Sequence, residues 1–291
     1  MKEQLAKTID RNMLFLYNIE KVLICKCKGS QHQMKLVVKI GTSTLTHATG
    51  KLNIRKTEEF CRVLSDLKNA GHQIILVSSG AIGMGVGKLG LASRPADIPT
   101  KQAAAAVGQC ELMDTYDRLF SEFHHIVAQI LLTGDDFGHT DRLTNFQNTI
   151  QRLLELGVLP IINENDTIAT DEIKVGDNDT LSAMVAINTR SDLLVLLSDI
   201  DGFYTADPRK DQQAVIIPEV RDLTNELLAL AGGSGTERGT GGMKSKLQAA
   251  KLCMENGVDM VILNGNSPEK IYDLIDGNPA GTRFYAKGAK V

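Results

Sequence analysis

The sequence has no tryptophan and few other aromatic residues, with 5 Tyr and 8 Phe among 291 residues. Proteins that bind nucleic acids by base stacking need aromatic side chains, and attraction to a phosphate backbone needs an excess of positive charge. Here 32 Lys and Arg stand against 35 Asp and Glu, which gives a formal net charge of −3. We therefore expect no nucleic-acid partner. The 26 glycines instead indicate loops in which the backbone approaches a small molecule.

The cysteines lack the spacings of a disulfide framework or a cysteine metal site. They are odd in number and form no C-x-x-C pair: Cys25, Cys27, Cys61, Cys110 and Cys253. The six histidines form no H-x-x-x-H or H-E-x-x-H motif. We expect a reducing, cytoplasmic compartment and no metal ion held by protein ligands.

Long apolar runs are also missing, because the longest clean ones, such as 193–197, have only the length of a strand. We therefore expect no membrane-spanning segment. Residues 1–34 carry five Lys and one Arg against two Glu and one Asp, and Asn18, Glu20 and Lys21 interrupt their apolar stretch. A signal peptide needs an uninterrupted apolar core. Residues 1–33 are interpreted as a poorly defined N-terminal extension rather than a targeting segment.

Strand-like and helix-like patterns alternate from Met34 onward. Buried strands are predicted at 35–40, 73–77, 126–132, 158–162, 193–197 and 259–263, and helices at 56–69, 101–122, 141–156, 179–188, 224–230 and 243–256. This alternation predicts an α/β fold with a mostly parallel central sheet and helices on both faces. Length alone allows two domains, but no low-complexity linker divides the chain. In such sheets, ligands bind beyond the carboxyl ends of the strands.

Two predicted strands run into small residues suited to anions. Lys39 stands near the end of the first, ahead of Gly41, Thr42 and Ser43. A buried lysine needs a partner, so Lys39 is interpreted as a phosphate ligand; the alternative is a strand-end lysine whose ammonium reaches water. A Ser-Ser-Gly turn at 78–80 follows the second strand and leads into a helix start, where N–H groups attract anions.

Amides and carboxylates crowd the loop after the strand at 158–162. Residues 163–166 read Asn-Glu-Asn-Asp, and residues 174–179 read KVGDND. These acidic side chains would repel one another without donors, so we expect a substrate ammonium group or protein lysines nearby. A calcium loop would need the D-x-[DN]-x-[DN]-G register, which is absent. A solvated acidic loop remains the alternative.

A glycine-rich segment, 232–242, leads into a helix start that carries Lys244 and Lys246. The helix dipole disfavours cations in the first turn unless an anion binds there too, which is typical of a phosphate cradle. The P-loop pattern is absent, and the G-x-G-x-x-G at 85–90 begins too far after its strand for a dinucleotide site. The four features together predict phosphoryl transfer to an amino-acid-like acceptor.

The motifs at these positions resemble the amino acid kinase family. They are VVKIGTSTL at 37–45, VSSGAIGMG at 77–85, NENDTIAT at 163–170, IKVGDND at 173–179, LLSDIDGFYTADPR at 196–209 and GTGGMKSKLQAAK at 239–251. The resemblance runs in unbroken order from Met34 to about Phe284. The combination of K-x-G-T-S, N-E-N-D and K-V-G-D-N-D is similar to the members that phosphorylate the γ-carboxylate of L-glutamate. Aspartate and acetylglutamate kinases carry other residues there.

The resemblance implies ATP-dependent formation of L-glutamyl 5-phosphate, the first step of proline biosynthesis. It implies that Lys39 and Lys246 hold the transferring phosphoryl group, that Asp179 orients them, and that Mg²⁺ is held mainly by the ATP phosphates. The implied substrate-binding residues are Ser79, Asp166 and Asn178. The implied ATP-binding residues are Lys39, Ser198, Asp199, Thr240, Gly241, Gly242, Met243, Lys244, Ser245 and Lys246.

The resemblance also implies one kinase domain at 34–291, with an N-lobe of about 34–170 for the amino acid and a C-lobe of about 171–291 for ATP. Many such kinases carry an RNA-binding-like PUA domain after the kinase domain, and we expect none here. A homo-oligomer, dimer or tetramer, and functional coupling to glutamate-5-semialdehyde dehydrogenase are implied as well. Two alternatives are a family member with another carboxylate acceptor and a non-catalytic amino-acid or nucleotide sensor, which we would expect to lack Lys39, Asp179 or Lys246.

Overall fold

One eight-stranded sheet organises the residues that the computed structural model describes, which are 33–47, 51–169, 178–230 and 242–288. Its strands are β1 (Lys35–Ile40), β2 (Gln73–Ser78), β3 (Val127–Leu132), β4 (Leu159–Glu164), β5 (Leu193–Ser198), β6 (Glu219–Val220), β7 (Asp259–Asn264) and β8 (Thr282–Phe284). The order across the sheet is β3-β4-β2-β1-β5-β7-β8-β6, and every pairing except the antiparallel pair β7 and β8 is parallel. The predicted mostly parallel α/β fold is therefore confirmed.

Helices connect the strands and cover the sheet. In the described residues they are α1 (Thr42–Leu45), α2 (Ile54–Asn69), α3 (Ala81–Lys88), α4 (Ile98–Ser121), α5 (Thr140–Glu155), α6 (Asn178–Asn188), α7 (Asn225–Leu230), α8 (Met243–Glu255) and α9 (Lys270–Ile275). None of these helices is both long and apolar enough to cross a bilayer.

The two faces of the sheet carry separate cores, and β1 contributes to both. Leu36, Val38 and Ile40 pack in a cluster with residues of α2 and α4, whereas Val37 packs in a cluster with residues of α6 and α8. Successive side chains of a strand point to opposite faces. Lys39 therefore shares the face of Val37, under α6 and α8.

Capping residues start two helices earlier than the periodicity predicts. Asp97 accepts a hydrogen bond from the Thr100 N–H at 2.9 Å, so α4 begins at Ile98 rather than 101. Asn53 caps α2 in the same way, and this helix begins at Ile54 rather than 56. A cap sets the first turn through its side-chain oxygen, which a count of apolar spacing does not register.

Three observed elements, α9, β6 and β8, are not among those predicted from the sequence. These elements have six, two and three residues, too few to show a hydrophobic period. Strand β8 buries Phe284 in the core and is held by polar contacts as well. Arg283 pairs with Asp259 at 2.7 Å, and Thr282 Oγ1 donates to the Ile217 carbonyl oxygen at 2.6 Å.

Candidate functional site

A buried carboxylate holds two lysine ammonium groups where β1, α6 and α8 meet. Asp179 Oδ1 lies 2.6 Å from Lys39 Nζ, and Asp179 Oδ2 lies 3.0 Å from Lys246 Nζ. The three side chains are at least nine-tenths buried. We call Lys39, Asp179 and Lys246 the Lys-Asp-Lys cluster. The fold thus joins three positions that are far apart in the sequence.

In the Lys-Asp-Lys cluster, two ammonium groups meet one carboxylate. Burial alone would raise the pKa of the Asp179 carboxyl, but the charges of Lys39 and Lys246 and their hydrogen bonds hold this pKa below its ordinary value. Asp179 is therefore ionised at neutral pH and compensates one lysine. Two ammonium groups that converge on one buried carboxylate also suit an anion beside the cluster.

Helix ends and a hydroxyl group hold Asp179 in place. Its carboxylate lies in the first turn of α6, at the positive end of the helix dipole, and Ser245 Oγ donates to its Oδ2 at 2.9 Å. The first turn of α8 has no acidic residue of its own. Asp179 from α6 therefore compensates Lys246 in this unfavourable position.

The Asn178 side chain links the carboxyl ends of β2 and β4 to the start of α6. Its Nδ2 lies 2.6 Å from Ser79 Oγ, 3.2 Å from the Ser78 carbonyl oxygen and 3.0 Å from Asn163 Oδ1. Two of the predicted substrate-binding residues, Ser79 and Asn178, are thus in direct contact. Because Asn178 precedes Asp179, this contact lies next to the Lys-Asp-Lys cluster.

Asp166, the third predicted substrate-binding residue, lies in the turn directly after β4. The Ala169 N–H donates to the Asn165 carbonyl oxygen across this turn at 3.0 Å, and Asp166 is half-buried. Asp166 follows Asn163 by three positions. Its turn therefore leaves the sheet at the same strand end that contacts Asn178.

The positions predicted to bind ATP lie at the end of β5 and the start of α8. Ser198 ends β5, and Asp199 follows it within 3.8 Å of Arg209 Nη1. Strand β5 pairs with β1, so these residues lie beside the strand that carries Lys39. Gly242 precedes α8, and its first residues are Met243, Lys244, Ser245 and Lys246. Thr240 and Gly241 lie outside the described residues.

Gln109 also belongs to this candidate site, and it is not among the residues predicted from the sequence. Asn163 Nδ2 donates to Gln109 Oε1 at 2.9 Å, and both side chains are buried. A signal was present, since Gln109 falls four residues after Ala105 and three before Leu112, on the buried face of α4. A polar residue on an apolar face is informative because it needs a buried partner.

The family model described as the amino acid kinase family matches residues 34–264. The chain belongs to the amino acid kinase family. The fold is similar to that of a solved structure, carbamate kinase from Giardia lamblia bound to AMP-PNP. The TM-score is 0.64 at 16% identity, over 88% of this chain and all of that one. At this identity the likeness supports the fold alone.

Two curated relatives with high sequence identity to this chain are glutamate 5-kinases. The protein from Clostridium perfringens is 49% identical over 264 residues, which are 89% of this chain and 98% of the relative. The protein from Carboxydothermus hydrogenoformans is 52% identical over 257 residues, 88% of this chain and 69% of the relative. Within its family, this amino acid kinase belongs with the glutamate 5-kinases.

Proposed function

We propose that this amino acid kinase transfers the γ-phosphoryl group of ATP to the γ-carboxylate of L-glutamate. The product is L-glutamyl 5-phosphate, the acyl phosphate that begins proline biosynthesis. The observation that carries the proposal is the buried Lys-Asp-Lys cluster, in which two ammonium groups meet one carboxylate. Asn178, which contacts Ser79, directly precedes Asp179 in α6. A phosphoryl group and a polar amino acid therefore fit on adjoining sides of one site.

In this proposal Lys39 and Lys246 hold and neutralise the transferring phosphoryl group, and Asp179 orients both lysines. Support comes from the two ammonium groups on one carboxylate, 2.6 and 3.0 Å away. Phosphoryl transfer depends mainly on positioning and on stabilising the charge of the transferring group. The acceptor carboxylate is already ionised at neutral pH, so the reaction needs no general base.

We further propose that Ser79, Asp166 and Asn178 bind the acceptor glutamate. The contact of Ser79 with Asn178 supports a shared role for these two residues. Asp166 is assigned to the α-ammonium group, because a half-buried carboxylate at this strand end suits a cationic partner. The acceptor side would then belong to an N-lobe of about 34–170.

The ATP side is assigned to Lys39, to the end of β5 and to the start of α8. Ser198 and Asp199 stand at the β5 end, and the α8 segment runs over Thr240, Gly241, Gly242, Met243, Lys244, Ser245 and Lys246. The uncovered N–H groups of a helix start suit phosphate oxygens, which supports this assignment. This side would belong to a C-lobe of about 171–291.

Mg²⁺ is proposed to enter with ATP and to take most of its ligands from the phosphates. In a kinase this ion neutralises charge that develops on the phosphates. The Asp179 carboxylate is already engaged by two lysines and by Ser245, which leaves it little capacity for a metal. The described residues contain no cluster of three or more His, Cys, Asp or Glu side chains suited to a metal.

The proposal extends to the setting of the enzyme. We propose a homo-oligomer, a dimer or tetramer, that acts in the cytoplasm without a nucleic-acid or membrane partner. An acyl phosphate is reactive toward water, so an enzyme that consumes it promptly is an advantage. Glutamate-5-semialdehyde dehydrogenase is the proposed partner for this coupling.

Incubation with MgATP, L-glutamate and hydroxylamine tests the reaction. Hydroxylamine traps the acyl phosphate as a coloured hydroxamate, which we expect to form only when L-glutamate is present. Aspartate and N-acetylglutamate serve as alternative acceptors in parallel reactions. Hydroxamate from one of these acceptors and none from glutamate would overturn the assignment. Glutamate binding without turnover of ATP would favour a sensor instead.

A further inference from the structure

Gln109 has a buried hydrogen-bond donor without a partner among the described residues. Its Oε1 accepts from Asn163 Nδ2 at 2.9 Å, but its Nε2 has no hydrogen-bond partner there. Only 7% of the residue is exposed. Buried polar groups in folded proteins are almost always hydrogen-bonded, and each exception needs an explanation such as a ligand.

The surrounding hydrogen bonds fix the orientation of this amide. Asn163 Oδ1 accepts from the Glu164 N–H at 2.9 Å and from Asn178 Nδ2 at 3.0 Å, so Asn163 Nδ2 must point toward Gln109. A flipped Gln109 would bring two amide donors together. Gln109 therefore presents an acceptor to Asn163 and keeps its N–H donors for another group.

The start of α3 packs against Gly108, the residue before Gln109. The approach is so close that a Cβ on Gly108 would lie 1.8 Å from the Ala81 carbonyl oxygen. Helix α3 follows Gly80, and no side chain caps its N-terminus in the described structure. The N–H groups of an uncapped helix start attract anions. This part of α4 thus carries one N–H donor, Gln109 Nε2, and packs against the start of α3, which carries others. N–H donors of both kinds suit a carboxylate.

The order of groups along the site indicates which carboxylate this is. The phosphoryl group is assigned to the Lys-Asp-Lys cluster, and from Asp179 the contacts continue through Asn178 and Asn163 to Gln109. A glutamate whose γ-carboxylate lies at the lysines places its α-carboxylate toward the other end. We propose that Gln109 Nε2 donates a hydrogen bond to the α-carboxylate of the acceptor and selects acceptors that carry this group. This inference rests on the proposed glutamate kinase function.

Two substitutions and a second acceptor test the inference. Gln109→Glu keeps an acceptor for Asn163 but replaces the donor by a carboxylate, and Gln109→Met removes both groups at similar length. Each variant is assayed with L-glutamate and with the α-amide of glutamate, which retains the reacting γ-carboxylate. Thr115→Val, a buried change on the same helix, is the control because its hydroxyl bonds only within α4.

In the unaltered enzyme we expect a lower KM for glutamate than for its α-amide. Gln109→Glu should raise the KM for glutamate about 10- to 100-fold, the effect of losing a hydrogen bond to a charged group. The KM for ATP should change less than about 2-fold, because the lost hydrogen bond concerns the acceptor alone. A general loss of structure would instead raise the KM values for both substrates. The preference should shift toward the α-amide, since the new carboxylate accepts its N–H. Gln109→Met should reduce the discrimination in the same assay.

Several results would overturn the inference. One is an unaltered enzyme that does not discriminate between the two acceptors. Another is a set of folded Gln109 variants with an unchanged KM for glutamate. The third is an equal rise of the KM values for both acceptors and for ATP, which would indicate a purely structural role. An unaltered enzyme that forms no glutamate-dependent hydroxamate would overturn the proposed function itself. That failure appears before any variant is made and is therefore distinct.

Discussion

At the scale of single residues, the Lys-Asp-Lys cluster concentrates charge that the composition as a whole conceals. The chain has nearly equal numbers of acidic and basic residues, yet two buried ammonium groups share the carboxylate of Asp179. Two buried ammonium groups beside one carboxylate suit a ligand of negative charge. The stability and the proposed catalysis of the molecule therefore depend on the same three side chains.

Lys246→Ala should lower kcat by roughly 10²–10³-fold, the cost of losing one donor that stabilises charge in a transition state. The comparison is made in the hydroxamate assay at saturating ATP and glutamate. Lys251→Ala is the matched control, because this exposed lysine lies on the same helix beyond the site. A kcat close to that of the unaltered enzyme in Lys246→Ala would refute the role given to this lysine.

At the scale of elements, the helix pair α3 and α4 is joined by glycines at its contact. A Cβ on Gly85 would lie 1.8 Å from the Ala104 carbonyl oxygen, and one on Gly108 would lie equally close to the Ala81 carbonyl oxygen. Gly85 is also the first glycine of the G-x-G-x-x-G at 85–90. In this fold its place is inside a helix, and close packing explains it without a dinucleotide.

Gly108→Ala should therefore destabilise the protein, by about 1–3 kcal/mol or more, since the backbone of α3 must move to admit the methyl group. Gly83→Ala, in α3, is the control because its nearest neighbour, Thr42 Cγ2, lies at an ordinary 3.5 Å. In a helix interior alanine is favoured over glycine, so Gly83→Ala should not destabilise. Urea unfolding of both variants checks this. Equal stability of the two variants would contradict the close contact.

The elements that could be predicted from the sequence are those whose formation is driven by apolar burial. The predicted bounds of β1 match the observed ones, and those of β5 differ by one residue, because buried apolar residues make up most of each strand. The sequence predicts that β4 ends at 162, two residues too early, because Asn163 and Glu164 are not typical of a buried strand. Both side chains are buried, and Asn163 bonds to Gln109 and Asn178, which are distant in the sequence.

The candidate site likewise has residues that the sequence indicates and one that only the fold connects to them. Lys39 could be predicted because a lysine in a buried strand is unusual on its own, and the motifs indicated Asp179 and Lys246. Gln109 could not be connected to them, because its partner Asn163 is 54 positions away and meets it only through the packing of α4 on the sheet. Pairing between distant polar residues is a property of the fold and leaves little trace in local periodicity.

At the scale of the whole molecule, the family model begins at 34, and the three residues of the Lys-Asp-Lys cluster lie within the stretch that it matches. An enzyme consisting of residues 34–291 should therefore keep kcat and both KM values within about 2-fold of the full chain, because the reacting groups are unchanged. The hydroxamate assay on the two proteins provides the measurement. An inactive but folded 34–291 protein would show that residues 1–33 contribute to the reaction.

The stability of the whole molecule should depend on pH through Asp179. Its carboxyl has a pKa below the ordinary value in the folded chain, so it stays ionised where the unfolded chain, with a pKa of about 4, begins to bind protons. The stabilisation is complete above the unfolded pKa and is lost as the pH falls toward the folded one. The free energy of unfolding should therefore decrease below about pH 5.

Asp179→Asn isolates this contribution. It should cost about 3–5 kcal/mol at neutral pH, because two buried lysines lose their counter-charge, and it should make the acid loss of stability less steep. Urea unfolding at pH values between about 3 and 7 gives both the stability cost and the steepness of the acid loss. Asp273→Asn, an exposed change in α9, should leave the pH dependence as it is. If the Asp179→Asn protein loses stability in acid as steeply as the unaltered one, other carboxylates in the fold are responsible for that loss. The burial of the two lysines would then not depend on Asp179.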